Sequence, residues 1–140
     1  MAATSPFLFV YGSLRRGESR HPLLLQAGAR AVADGTISGK LFDFGDYPGA
    51  VKTADRKRRV RGEVYAFADP AAGLARVDKI EGFSPGRSAK SLFVRRLAEV
   101  GLDGGRSVEA WAYFYNRPVK RGREIFAGEW RTRPLNSTWG

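Results

Sequence analysis

The sequence predicts a small α+β domain in which a mixed β-sheet curls into a barrel flanked by one or two helices. Three observations predict it. Short runs rich in β-branched and aromatic residues recur along the chain, glycines break them where bulges or barrel corners belong, and one segment carries both the start and the stop signals of a helix. With 140 residues and 43% hydrophobic content, the expectation is a single domain over 1–140. Its packed part should span about 7–131, between a frayed start at Met1–Ser5 and a basic C-terminal tail.

The first element is "FLFVY", Phe7–Tyr11, an apolar run bounded by Pro6 and Gly12 that reads as a buried strand. After "YGSLRRGESRH", Pro22 opens a short helix through Leu23, Leu24 and Leu25. Ala29–Phe44 reads as one long or bent strand interrupted at Gly35 and Gly39, and "GDYPGA", Gly45–Ala50, as a turn. "VRGEVYAF", Val60–Phe67, alternates with apolar residues on both sides, so both faces of that strand should be covered. Two further strands, "SLFVRRLAEV" from Ser91 and "SVEAWAYFY" from Ser107, are joined by the hairpin loop "GLDGGR". In the tail, "FAGEWR" should pack through Phe126 and Trp130.

Between the third and fourth strand runs lies the clear helix, "ADPAAGLARVDKIEG". Asp69 suits its N-cap, Pro70 its first turn and Gly82 a left-handed C-terminal cap. Leu74, Val77 and Glu81 fall at i, i+3 and i+7, so the acid shares the apolar stripe, while Arg76 and Lys79 lie elsewhere. Glu81 also occupies the last turn, where the helix dipole disfavours another negative charge. Partial burial and that dipole both raise a carboxyl pKa, as a general acid/base requires. The same spacing equally allows an ion pair with one of the many arginines at the rim.

Composition removes several chemistries. There is no cysteine, hence no thiol nucleophile or thiolate metal site, and the absence fits a reducing compartment. His21 is the sole histidine, which excludes a poly-histidine metal site and leaves a Ser-His-Asp triad no other base; beside Pro22 it reads as structural. Ser13 lacks a G-x-S-x-G setting. With neither an apolar run of membrane-spanning length nor a secretory leader pattern, a cytoplasmic location without membrane association is expected. The net charge of +10 attracts polyanions without design, and its densest block, Lys52–Arg61, reads as a solvated hairpin loop with no interleaved aromatics for base stacking. Nucleic-acid binding is therefore expected only as non-specific electrostatics.

Taken in order, "YGSLRRG", "GKLFDFGDYPGA", "VRGEVYAF", "VDKIEGF", "SLFVRR", "AWAYFY" and "AGEWR" resemble the γ-glutamylcyclotransferase-like family, including its γ-glutamylamine cyclotransferase and avirulence-induced branches. The resemblance covers roughly Phe7–Arg131. It implies a small β-barrel flanked by helices and no cofactor or metal. It implies that Glu81, in the D-x-x-E-G motif begun by Asp78, is the catalytic acid/base, and that the loop Tyr11, Gly12, Ser13 and Leu14 binds substrate and oxyanion. Relatives often carry tyrosine where this chain has Phe93, so Tyr115 or Tyr113, which share a face of the last strand, is expected to supply a substrate-orienting hydroxyl. The implied partner is a small γ-glutamyl compound, which cyclises to 5-oxoproline and frees an amine; the protein would act as a monomer or homodimer. Two other readings stay open: a non-catalytic barrel that binds small ligands or nucleic acid, and an enzyme that deprotects a cationic amine product.

Overall fold

In the computed structural model, which describes residues 5–131, the predicted runs become eight strands and two helices. In chain order they are β1 Phe7–Val10, α1 His21–Gln26, β2 Ala29–Ser38, β3 Lys40–Asp43, β4 Pro48–Val51, β5 Arg59–Phe67, α2 Pro70–Glu81, β6 Phe93–Leu102, β7 Ser107–Tyr115 and β8 Arg123–Glu124. A 3-10 segment, Pro85–Lys90, leads from α2 into β6. Met1–Thr4 of the expected frayed start and the end of the basic tail lie outside the described residues.

Five strands close a barrel in the order β1-β5-β2-β6-β7. All neighbours are antiparallel except at the closing seam, where β1 runs parallel to β7 with Leu8 opposite Trp111. The barrel therefore matches the predicted mixed class. A second sheet, in the order β4-β3-β8, packs beside it. One apolar cluster fills the barrel with Phe9, Ile37, Val64, Val100 and Phe114 and continues to Leu41 and Trp130; another joins the barrel wall to both helices through Leu8, Leu24, Tyr65, Leu74 and Val77. Both faces of β5 are covered, as its alternation required.

Four local expectations are corrected. The run Ala29–Phe44 is two strands in different sheets, divided at Gly39. The irregularity in β2 falls between Ala31 and Ala33, not at Gly35. Gly35 remains in register, and it is glycine because a Cβ there would meet Gly101 O at 2.6 Å across the β2–β6 seam. "PGAV", read as part of a turn, is β4; the turn is confined to Phe44–Tyr47, closed by Phe44 N–H donating to Tyr47 O at 3.0 Å. Phe126 is 69% exposed and lies against the Arg58 guanidinium, 4.5 Å from ring centre to Cζ. Trp130 alone of the two expected anchors is buried. Gly128 explains the split: at φ 74 its backbone presses on Arg59 and accepts from Arg61 N–H at 2.7 Å, so the crossing chain carries Trp130 inward.

Helix α2 has the expected ends. The Asp69 carboxylate accepts from Ala72 N–H at 3.2 Å, Pro70 starts the helix, and Gly82 ends it at φ 70. Among the described residues no helix is long and apolar enough to cross a membrane.

Candidate active site

A cavity of about 420 Å³ opens where the end of β1, the C-terminus of α2, the start of β6 and the Tyr113 position of β7 converge. Glu81 and all four expected loop residues, Tyr11, Gly12, Ser13 and Leu14, line it. Tyr115 does not. It is the cross-strand partner of Phe93, stacks on Phe44 at 4.2 Å and stands behind the wall that Phe93 and Tyr47 present.

The loop is shaped by its own backbone and by the residues that follow it. Arg15 N–H donates to Gly12 O at 3.1 Å, Arg20 N–H donates to Ser13 O at 3.0 Å, and Leu14 O lies 2.8 Å from His21 Nδ1. His21, in the tautomer with a proton on Nδ1, thus pins the loop. Gly12 lies so close to β4 that a Cβ would fall 2.9 Å from Pro48 Cγ. Among the described residues the Ser13 and Leu14 amides have no hydrogen-bond acceptor, which leaves two backbone donors at the cavity wall. Behind the loop, buried Glu63 takes Arg15 Nε at 3.2 Å, Arg16 N–H at 3.0 Å and the Tyr65 hydroxyl at 2.9 Å. Burial acts to raise the Glu63 carboxyl, but these donors together hold it below the usual range.

Glu81 ends α2 with its side chain 15% exposed. Burial pushes its carboxyl above the ordinary value, and the Arg20 guanidinium, 3.5 Å from Oε1, offsets part of that rise. Asp78, one turn earlier, has another part. It is buried, receives Arg95 through Nε at 2.8 Å and Nη2 at 3.2 Å, and accepts the Tyr113 hydroxyl proton. The motif aspartate therefore ties α2 to β6 and β7 and fixes the direction of the helix end. Burial, then the bond to Asp78, raises the Tyr113 phenol. With its proton engaged by Asp78, Tyr113 can only accept a hydrogen bond from a molecule in the cavity.

The Tyr11 hydroxyl is likewise occupied: it donates to Tyr113 O at 2.6 Å and accepts from Ala50 N–H at 3.0 Å, bracing β7 against β4. Tyr11 meets the cavity with its ring and backbone. The wall also includes Arg20, Asp46, Tyr47 and Lys79. Arg20 went unnoticed in the sequence because its tie to Glu81 spans 61 residues and no local pattern encodes it. "YPG" did signal Tyr47 as a possible mouth residue. A second cleft, of about 660 Å³, shares Asp46 with this cavity, and its walls include Asp43, Arg123, Arg131 and Glu129, the last paired with Arg15 at 3.0 Å.

A model of the family described as gamma-glutamyl cyclotransferase, AIG2-like, matches residues 8–132. The chain is 37% identical over 114 residues to the gamma-L-glutamyl-butirosin B gamma-glutamyl cyclotransferase of Niallia circulans, a match covering 80% of this chain and 68% of that one. It is 32% identical over 127 residues to the gamma-glutamylcyclotransferase family protein YtfP of Escherichia coli K12, covering 90% and 96%. A crystal structure of an AIG2-like protein from Mus musculus has the same fold, with a TM-score of 0.71 at 20% identity, covering 94% of this chain and 97% of that one.

Proposed function

The chain belongs to the γ-glutamyl cyclotransferase family in its AIG2-like form, a family of enzymes, and from that membership we propose that it converts a γ-glutamyl amine to 5-oxoproline and the free amine. The observation that carries this reading is one cavity lined both by Glu81, whose side chain is 15% exposed, and by a loop whose Ser13 and Leu14 amides have no acceptor among the described residues. Its volume of about 420 Å³ suits a γ-glutamyl group with a modest amine attached.

In the proposed reaction Glu81 takes a proton from the substrate's α-ammonium. The freed nitrogen attacks the substrate's own γ-carbonyl carbon, forming the C–N bond of a five-membered ring, and the carbonyl oxygen becomes an oxyanion. The Ser13 and Leu14 amides receive that oxyanion, each such donor contributing on the order of 3 kcal/mol. Glu81 then returns the proton to the departing nitrogen as the oxyanion re-forms the carbonyl and the original amide bond breaks. The second proton that the ring nitrogen carries after its attack passes to the freed Glu81 carboxylate and on to solvent, leaving the neutral lactam. No enzyme nucleophile is needed, because both reacting groups belong to one substrate that the cavity holds folded. A carboxyl lifted toward neutrality serves these transfers, a role that typically contributes about 10²- to 10⁴-fold. The test is 5-oxoproline release from a panel of γ-glutamyl amines by the wild-type protein and by Glu81→Gln. Turnover retained in the folded variant would remove Glu81 as the base.

A cationic leaving amine is favoured by Asp46, a carboxylate at the cavity wall. Despite the net charge of +10, the wall carries an acid at this point. The relative from Niallia circulans is named for γ-L-glutamyl-butirosin B. On this reading γ-glutamyl diamines are turned over with a lower KM than γ-glutamyl alkylamines of equal length, and Asp46→Asn removes most of the difference. Equal KM values for the two series in the wild-type protein would refute it.

A further inference from the structure

The Arg20 guanidinium stands at the wall of the Glu81 cavity with most of its hydrogen-bonding capacity unused. Its contacts with Glu81 Oε1 at 3.5 Å and Ile80 O at 3.4 Å both come from Nη2, and both are long. Its Nε is buried and has no hydrogen-bond partner among the described residues. A buried guanidinium N–H without an acceptor is unfavourable, and the group that best relieves it is a planar carboxylate that can take two parallel N–H bonds. The side chain lines the cavity and is 36% exposed, so a molecule in the cavity can reach it. Its backbone is tied to the loop by the bond from Arg20 N–H to Ser13 O.

Resting on the cyclotransferase reading above, we infer that Arg20 is the recognition residue for the α-carboxylate of the γ-glutamyl group, and that it transfers from Glu81 to that carboxylate as substrate binds. The α-carboxylate and the nucleophilic α-amine share one carbon. A carboxylate held by the guanidinium therefore brings the amine to the residue the guanidinium has just left. Specificity and activation are coupled by this exchange. While Arg20 faces Glu81 it lowers the basicity of the carboxyl; once the substrate carboxylate takes Arg20, the burial that raises Glu81 is no longer opposed. A γ-acyl amine without an α-carboxylate leaves the pair intact and meets a weaker base. The other titratable groups sharing the cavity are Tyr11 at the end of β1, Tyr113 on β7, Lys79 on α2, and Asp46 and Tyr47 before β4; none of them exchanges partners in this step.

The experiment compares binding of 5-oxoproline with binding of 2-pyrrolidinone, the same ring without the carboxylate, by titration calorimetry on wild-type protein, Arg20→Gln and Arg20→Lys. Wild-type protein should bind 5-oxoproline at least tenfold more tightly than 2-pyrrolidinone, Arg20→Gln should bind the two alike, and Arg20→Lys should fall between, keeping the charge without the fork. Thermal unfolding confirms that each variant is folded, and the lysine variant keeps the test decisive where the glutamine one is not. For turnover of a γ-glutamyl amine, the acid limb of the kcat profile should lie at higher pH than that of kcat/KM in the wild-type protein, and Arg20→Gln should bring the two together. A folded Arg20→Gln that keeps the wild-type preference for 5-oxoproline overturns the assignment of Arg20 and leaves the cyclotransferase reading standing. If wild-type protein binds neither ring and releases no 5-oxoproline from any γ-glutamyl amine, that reading fails and this inference falls with it.

Discussion

Glu81→Gln separates two consequences of burying a carboxyl at a helix end. Activity should fall about 10²- to 10⁴-fold in kcat, the range for loss of a positioned acid/base. Stability should move the other way. The folded-state pKa of Glu81 is raised mainly by burial, so its ionisation works against folding, and the wild-type protein loses stability as pH rises from the unfolded carboxyl value through the folded one. Glutamine does not titrate. The melting temperature of the variant relative to wild type should therefore increase between pH 4 and pH 8; a difference that shrinks over that range would contradict the burial argument. The position of Glu81 was legible because it rests on local rules: a 3.6-residue period placed it beside Leu74 and Val77, and a glycine cap ended the helix after it. The environment of each tyrosine was not legible. Tyr113 and Tyr115 alternate on one face, but only cross-strand registry and the packing of Phe44 separate the one at the cavity from the one behind it.

At the scale of an element, α2 is held in place by its ends and by one buried acid. Asp69→Ala should cost about 1 kcal/mol, the usual value of an N-cap bond, with kcat nearly unchanged because the cap is at the far end of the helix from Glu81. Gly82→Ala should cost a similar amount, about 1–2 kcal/mol for an L-residue in the left-handed region, and should also lower kcat because it disturbs the residue next to the carboxyl. Urea unfolding and steady-state kinetics on the two variants check this contrast; equal effects on kcat would mean that the helix end does not orient Glu81. The caps could be read directly from "ADPAAG" and "IEGF", since capping chemistry depends on residues three or four positions apart. Strand β4 could not. "PGAV" is too short and too glycine- and proline-rich to read as a strand, and it becomes one through its pairing with β3, Leu41 opposite Ala50.

For the whole molecule, the buried cluster around Glu63 contributes to the response to acid. Its carboxyl lies below the usual range in the folded state, so its contribution is present above the unfolded carboxyl pKa of about 4.3 and is lost as pH falls through the folded value. Glu63→Gln leaves Arg15, whose side chain is 5% exposed, with the more exposed Glu129 at 3.0 Å as its remaining counter-charge and should cost about 2 kcal/mol at pH 7. It should also flatten the loss of stability below pH 4, as denaturant titrations at several pH values would show; an unchanged acid limb would assign that limb to another carboxyl. This cluster anchors the loop after β1, so loop geometry and acid stability share one support. Composition, periodicity and capping were enough to establish the α+β class, the helix that carries the acid and the exclusion of cysteine chemistry, because each depends on residue type or on neighbours within one turn or one strand. The barrel order, the seam between β1 and β7, the meeting of Arg20 with Glu81 and the engagement of the Tyr11 and Tyr113 hydroxyls depend on groups tens of residues apart. Folding brings these groups together through burial, which no short-range pattern encodes.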